Sequence, residues 1–207
     1  RSIVAPAWGK KERPLKGHDR YKWVKGTPWW LAALLAFVAL AVAARLVTPV
    51  PGEAAVFRSV QGLRSAGLDD AALVVSWTAS ALVGSLALAA IALAFAAARR
   101  WPESVAAVLL LALEGVGRLV KLMVARPRPL ALFGIESSHT SFPSGHALQA
   151  FLLYGFLIYL LDGQLKPGWL GRALQVALAV PIVMVGLARV YLGEHWPSDV
   201  VGAYLLG

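Results

Sequence analysis

The chain has 207 residues, enough for one domain or two small ones, and 58% of them are hydrophobic against 15% charged, which is more apolar than a water-soluble domain of this size. It contains no cysteine, which excludes a disulfide-stapled scaffold and a thiolate metal site. The 20 Lys and Arg outnumber 11 Asp and Glu to give +9, but long apolar runs separate them, unlike the extended basic surface of a nucleic-acid-binding protein.

The chain reads as an all-α, polytopic membrane helix bundle with six transmembrane helices and a short interfacial helix. Residues 1–28 form a basic segment carrying Arg1, Lys10, Lys11, Arg13, Lys16, Arg20, Lys22 and Lys25, suited to anionic lipid at a cytoplasmic surface. Residues 29–207 form the membrane-embedded domain. A span needs about 20 mostly apolar residues, and five runs approach that length: 29–47, 71–98, 102–120, 147–161 and 169–188. Thr27-Pro28 and Trp101-Pro102-Glu103 read as helix starts, and Pro181 as a kink inside the fifth span. Between the first two runs, 52–66 places Val56, Phe57, Val60 and Leu63 on one helical face, with Arg58 and Arg64 off it, which predicts a helix lying in the interface. A sixth run begins near Asp199 and stops at Gly207, so the natural chain is expected to continue.

The basic N-terminal segment shares its membrane side with Arg99, Arg100, Lys166 and Arg172, which makes that side cytoplasmic by the positive-inside rule. Trp29, Trp30, Trp101 and Trp169 begin odd-numbered spans at the same level. Within the third span, Glu114 and Arg118 stand four apart and are expected to form an ion pair.

The polar residues bordering the spans are more informative. The third span ends in KLMVARPRP (121–129), SFPSGH (141–146) precedes the fourth, and ARVYLGEHWPSD (188–199) closes the fifth. Counting crossings puts these segments on one face of the membrane. Lys121, Arg128, Ser144, Gly145, His146, Arg189, His195 and Asp199 are therefore expected to meet there. Three cations at bilayer depth are costly and repel one another unless an anion lies among them, and phosphate matches their donor geometry. Gly145 permits close backbone approach and Ser144 adds a hydroxyl. His195 and Asp199 are spaced so that a carboxylate can orient an imidazole. That imidazole can attack phosphorus while His146 protonates the leaving oxygen. Taken singly, each residue has a plainer reading: an interfacial arginine anchor, a helix-cap neighbour, or an aspartate at a helix start.

These segments resemble the signature of the type 2 phosphatidic acid phosphatase superfamily, K-x6-R-P, P-S-G-H and S-R-x5-H-x3-D. Lys121 to Arg128-Pro129, Pro143 to His146, and Arg189 with His195 and Asp199 fit it, while Ala188 stands where Ser is usual. The resemblance, over roughly 70–207, implies a lipid phosphate or lipid diphosphate phosphatase that needs neither metal nor cofactor. Substrates of the undecaprenyl diphosphate, phosphatidylglycerophosphate or phosphatidic acid type are expected at the non-cytoplasmic face of a bacterial cell membrane. It further implies His195 as the nucleophile forming a phosphohistidine, His146 as general acid and Asp199 as orienter. Lys121, Arg128, Ser144, Gly145 and Arg189 would hold the phosphate. A lipid phosphotransferase using the same histidine and an anion or lipid-phosphate transporter are the alternative readings. His139 is expected to be a solvated loop residue or headgroup contact.

Overall fold

The computed structural model describes residues 29–129, 140–164 and 168–207. The basic segment 1–28, the stretch 130–139 with Glu136, Ser138 and His139, and Lys166 lie outside the described residues. Those described form helices α1 (Trp29–Leu46), α2 (Glu53–Gln61), α3 (Ala66–Thr78), α4 (Ala81–Ala97), α5 (Trp101–Val124), α6 (Gly145–Gln164), α7 (Trp169–Tyr191) and α8 (Pro197–Leu206), with no strand among them.

Four stretches are long and apolar enough to cross a membrane: α1, 66–97, α6 and α7. Helix α5 has the length of a span at 24 residues but carries Glu103, Glu114, Arg118 and Lys121. Short connections make α4 and α5, and α6 and α7, adjacent pairs, and α6 also packs on α4, α5 and α8. Helix α1 lies against α8 and α5, while α2 and α3 pack on α7. Leu82, Leu93 and Leu122 on the outside are each at least 70% exposed. Such an apolar exterior is suited to lipid, and the chain is a multi-pass membrane protein.

The apolar run expected over 71–98 as one span begins earlier, at Ala66, and breaks at Ala79-Ser80. The cause is local hydroxyl chemistry. Thr78 Oγ1 donates to the Val75 carbonyl at 2.7 Å, and the extended Ser80 caps α4 by accepting from Val83 N at 3.4 Å. Both side chains compete with the helical backbone. Helix α2 forms within the expected stretch 52–66 but ends at Gln61, leaving Leu63 beyond it, and its inward face is not purely apolar. It buries Phe57 and Glu53, whereas Val56 and Leu63 point outward. Helix α7 passes through Pro181 without ending.

The Glu114–Arg118 ion pair does not form. Helix α5 turns Glu114 into the bundle, where its Oε2 accepts from Ser85 Oγ of α4 at 2.7 Å, while Arg118 stays exposed. The competing hydroxyl is supplied by helix packing, which an i, i+4 rule does not contain.

Beneath the ends of α5 and α7 lies a core of Phe57, Leu148, Leu152, Val190, Trp196 and Val200. Phe142 anchors the loop before α6, stacking on Phe37 at 5.9 Å and filling the space over Gly202. A Cβ at Gly202 would lie 2.5 Å from the Phe142 ring, so only glycine permits this seat.

Candidate active site

Three chain reversals build the site. The first ends α5: Lys121 occupies the last turn, and Ala125, in the left-handed region at φ 49°, terminates the helix with its N–H on the Lys121 carbonyl. Residues 126–128 then run without regular structure, as the prolines at 127 and 129 require of the residues before them. The second reversal is the loop before α6, where Ser141 N donates to the Arg126 carbonyl at 2.8 Å and Ser141 Oγ to the Pro127 carbonyl at 3.1 Å. The third follows α7. Gly193, at φ 77°, turns the chain back so that Glu194 N and His195 N both donate to the Arg189 carbonyl at 3.2 Å.

Cross-links between these segments bring the sequence-derived residues together. Ser144 N donates to the Asp199 carbonyl at 3.0 Å. Arg128 Nη1 donates to Glu194 Oε2 at 2.6 Å, and Arg189 Nη2 reaches the same oxygen. Lys121 lies within the electrostatic reach of Arg128, Arg189, Asp199 and Glu194, and His146 within that of His195, Arg189 and Lys121. A cavity of about 200 Å³ opens beside Lys121, Pro143, Gly145 and His146 and extends down to Gln149, Glu114 and Arg118.

Each residue has a distinct setting. Ser144 is buried, its Oγ facing Ala147 N at 3.5 Å at the head of α6, while the Gly145 backbone beside it is exposed. The first-turn amides of α6 thus face the cavity with the positive end of the helix dipole. His195 is 1% exposed, with Nδ1 3.4 Å from Asp199 Oδ2 but no hydrogen bond formed. Burial pushes the His195 imidazole down to about 4 despite the opposing pull of Asp199, so the ring is neutral at physiological pH. Burial alone would raise the Glu194 carboxyl, but Arg189 and Arg128 outweigh it and hold it below its usual range.

The repulsion among the cations predicts a bound anion between them. In the structure Glu194 occupies that position. The Nε–H groups of Arg128 and Arg189 are nevertheless buried without an acceptor, and buried donors left unpaired call for a ligand. The cluster can therefore receive a small, multiply charged oxyanion beside a neutral imidazole.

Three contributors escape the sequence reading. Arg126 is buried and donates from Nη1 to Asp199 Oδ1 at 2.6 Å and to Ser198 Oγ at 2.7 Å. Glu53 of α2 receives Arg126 Nη2 at 2.6 Å. Trp196 donates from Nε1 to the Pro127 carbonyl at 3.3 Å and packs against Phe57 with the rings tilted by 51° and their centres 5.3 Å apart. The repeated Arg-Pro pairs 126–129 hint at two arginine functions but not at which faces which way. Nothing in the sequence ties Glu53 to residues more than 70 positions away.

Comparison with known proteins identifies the family and the fold. Residues 103–207 match the model of the PAP2 superfamily. A region of 95 residues is 34% identical to phosphatidylglycerophosphatase B of Bacillus subtilis, covering 44% of this chain and 46% of that protein. Another, of 98 residues, is 34% identical to an undecaprenyl-diphosphatase of Sulfolobus acidocaldarius, covering 44% and 43%. The chain thus spans less than half the length of these curated relatives. The fold resembles the crystal structure of a transmembrane PAP2 type phosphatidylglycerolphosphate phosphatase from Bacillus subtilis, with a TM-score of 0.66 and 25% identity over 86% of this chain and 89% of that one. It also resembles Aquifex aeolicus LpxE in fold, with a TM-score of 0.58 and 23% identity over 74% and 88%.

Proposed function

Since the chain belongs to the PAP2 superfamily, we propose that it is a membrane phosphatase that hydrolyses a lipid phosphate or lipid diphosphate through a phosphohistidine on His195. The observation that carries this reading is the meeting of Arg128 and Arg189 at one carboxylate oxygen, with buried N–H donors to spare, beside a neutral, buried imidazole.

In the proposed reaction the substrate phosphate takes the place of Glu194 Oε2. Its oxygens are bound by Arg128, Arg189, Lys121 and the α6 amides at Gly145 and His146. Ser144 helps to hold that loop in place. His195 Nε2 attacks phosphorus in line, and the P–O bond to the lipid breaks as the electron pair moves to the leaving oxygen. A substrate entering as the monoanion brings the proton that His146 relays to that oxygen, and the proton taken up in the second step leaves with the phosphate. Asp199 faces Nδ1–H and balances the positive charge that develops on the ring. Water then attacks the phosphohistidine and returns a proton to His146, releasing inorganic phosphate and restoring neutral His195. Cations placed where charge accumulates supply most of the acceleration.

A lipid substrate is favoured by an apolar groove of about 380 Å³ lined by Val56, Leu63, Leu68, Val75 and Met184, reaching Pro197 at the head of α8. An acyl or prenyl chain fits such a surface. Undecaprenyl diphosphate, phosphatidylglycerophosphate and phosphatidic acid are the substrate types this reading covers. With residues 1–28 on the cytoplasmic side, the site faces the opposite surface of the cell membrane.

The test is phosphate release by the detergent-solubilised chain from these three lipids in excess chelator. Activity should persist without added metal and fall by at least about a thousandfold in His195→Ala. Turnover that survives the substitution would refute the reading.

A further inference from the structure

Arg126 belongs to the first motif segment by position but does not face the phosphate cradle. Its side chain is fully buried, and the guanidinium lies between two carboxylates. Nη1 donates to Asp199 Oδ1 at 2.6 Å, and Nη2 donates to Glu53 Oε2 at 2.6 Å. Nε points to Thr48 Oγ1 at 3.3 Å, and the guanidinium carbon lies 5.7 Å from the centre of the Trp196 ring. Glu53 is fixed in turn: Oε1 accepts from Ser198 N and Oε2 from Val50 N, both at 2.8 Å. Asp199 Oδ2 accepts from Trp196 N at 2.8 Å and faces His195 Nδ1. The result is a buried row of Glu53, Arg126, Asp199 and His195, with alternating charge ending on the imidazole.

The row has two physical consequences. Arg126 immobilises Oδ1 of Asp199, leaving Oδ2 as the oxygen presented to the imidazole. Glu53 then cancels the charge of Arg126, which would otherwise oppose the positive charge that His195 acquires on attacking phosphorus. Breaking such a row by removing one member leaves an uncompensated charge in a low-dielectric site. Glu53 lies outside residues 103–207, the part matched to the family, and α2 is short and held to the bundle mainly on α7 and α8.

We propose that Glu53 and Arg126 are positioning residues for the phosphoryl-transfer histidine, making the interfacial helix α2 a working part of the active site. This rests on the proposed phosphatase reading. Substrate contacts the cradle rather than the row, so disturbing the row lowers kcat with little change in KM. It also moves the acid limb of the pH–rate profile. His195 is faced by Asp199 of α8, Lys121 of α5, His146 of α6, Arg189 of α7 and its neighbour Glu194. Taking the negative charge from Glu53 adds the uncancelled field of Arg126 to this set and makes the imidazole harder to protonate.

The experiment compares full-length wild type, Glu53→Gln, Glu53→Asp, the double variant Glu53→Gln/Arg126→Gln, and His195→Ala. Steady-state kinetics on one lipid phosphate are measured from pH 4 to 9, with thermal unfolding as the check on folding. Glu53→Gln should lose about 10- to 100-fold in kcat with KM within about threefold, and its acid limb should move to lower pH. Glu53→Asp should recover part of the loss. The double variant, with both charges removed, should return the acid limb toward the wild-type position while kcat stays low, and it decides the matter if Glu53→Gln does not fold. Wild-type kcat and pH profile in Glu53→Gln, or a loss in KM alone, overturns the proposal. So does a double variant whose acid limb stays displaced. His195→Ala separates the two levels: if it remains active the phosphatase mechanism itself fails, whereas inactive His195→Ala with unperturbed Glu53→Gln defeats only the positioning role.

Discussion

Glu194 offers a sharp perturbation because one of its oxygens stands where a substrate oxygen would go. Oε2 receives Arg128 Nη1 at 2.6 Å and also Arg189 Nη2. The Glu194 side chain is 32% exposed, and those of Arg128 and Arg189 are 17% and 5% exposed. A bound phosphate must displace this carboxylate from at least one guanidinium. At an effective dielectric of 20 a unit-charge pair about 4 Å apart is worth about 4 kcal/mol, and screening at a partly open site reduces the net to about 1–2 kcal/mol. Glu194→Gln keeps the shape and removes the charge. It should tighten binding of inorganic phosphate by about 5- to 30-fold. The assay is competitive inhibition by phosphate against a lipid substrate, measured beside KM. Both constants should fall, and kcat should fall as well because product is held longer. Unchanged or weaker phosphate inhibition would show that Glu194 prepares the arginines rather than competing for them, refuting the displacement argument.

Two further outcomes follow from the same geometry. With its pKa lowered to about 4 by burial, His195 stays neutral well below pH 6.5, so the acid limb of kcat/KM attributable to it should lie near pH 4–5 in a pH–rate profile. Because the unfolded histidine takes up its proton first, thermal stability should decline as pH falls from about 6.5 toward 4, and a stability flat across that window would contradict the shift. Gly202→Ala puts a methyl 2.5 Å from the Phe142 ring and should lower stability by about 1–3 kcal/mol, read as a lower unfolding temperature. An unchanged unfolding temperature would mean that the loop before α6 is not seated as described.

Much of the cradle is legible in the sequence because membrane crossing constrains it. Once the apolar runs are marked, parity alone places KLMVARPRP, SFPSGH and ARVYLGEHWPSD on one face, and proline sterics explain why 126–128 leave the helix. Contacts between helices obey no such rule. Glu53 reads as an ordinary acidic residue at a helix start, and only the docking of α2 turns it onto Arg126 and the Ser198 amide. Ser85 takes Glu114 from Arg118 for the same reason. The break at Ser80 had a local signal, two hydroxyl residues at 78 and 80 within a run longer than a span needs, which apolar periodicity passes over. Glu194 illustrates a third case. The repulsion among Lys121, Arg128 and Arg189 is legible, but the anion that relieves it comes from the chain itself.

The most direct test of the central claim is to trap the covalent intermediate. Full-length protein is mixed with a lipid labelled with radioactive phosphorus in the transferred phosphoryl group, quenched in alkali within milliseconds, and the labelled residue located by peptide mapping. The account predicts alkali-stable, acid-labile label on His195, accumulating in His146→Ala if the leaving group can depart without protonation. Label on a serine or on His146, or turnover with no labelled protein at any quench time in either chain, would contradict it.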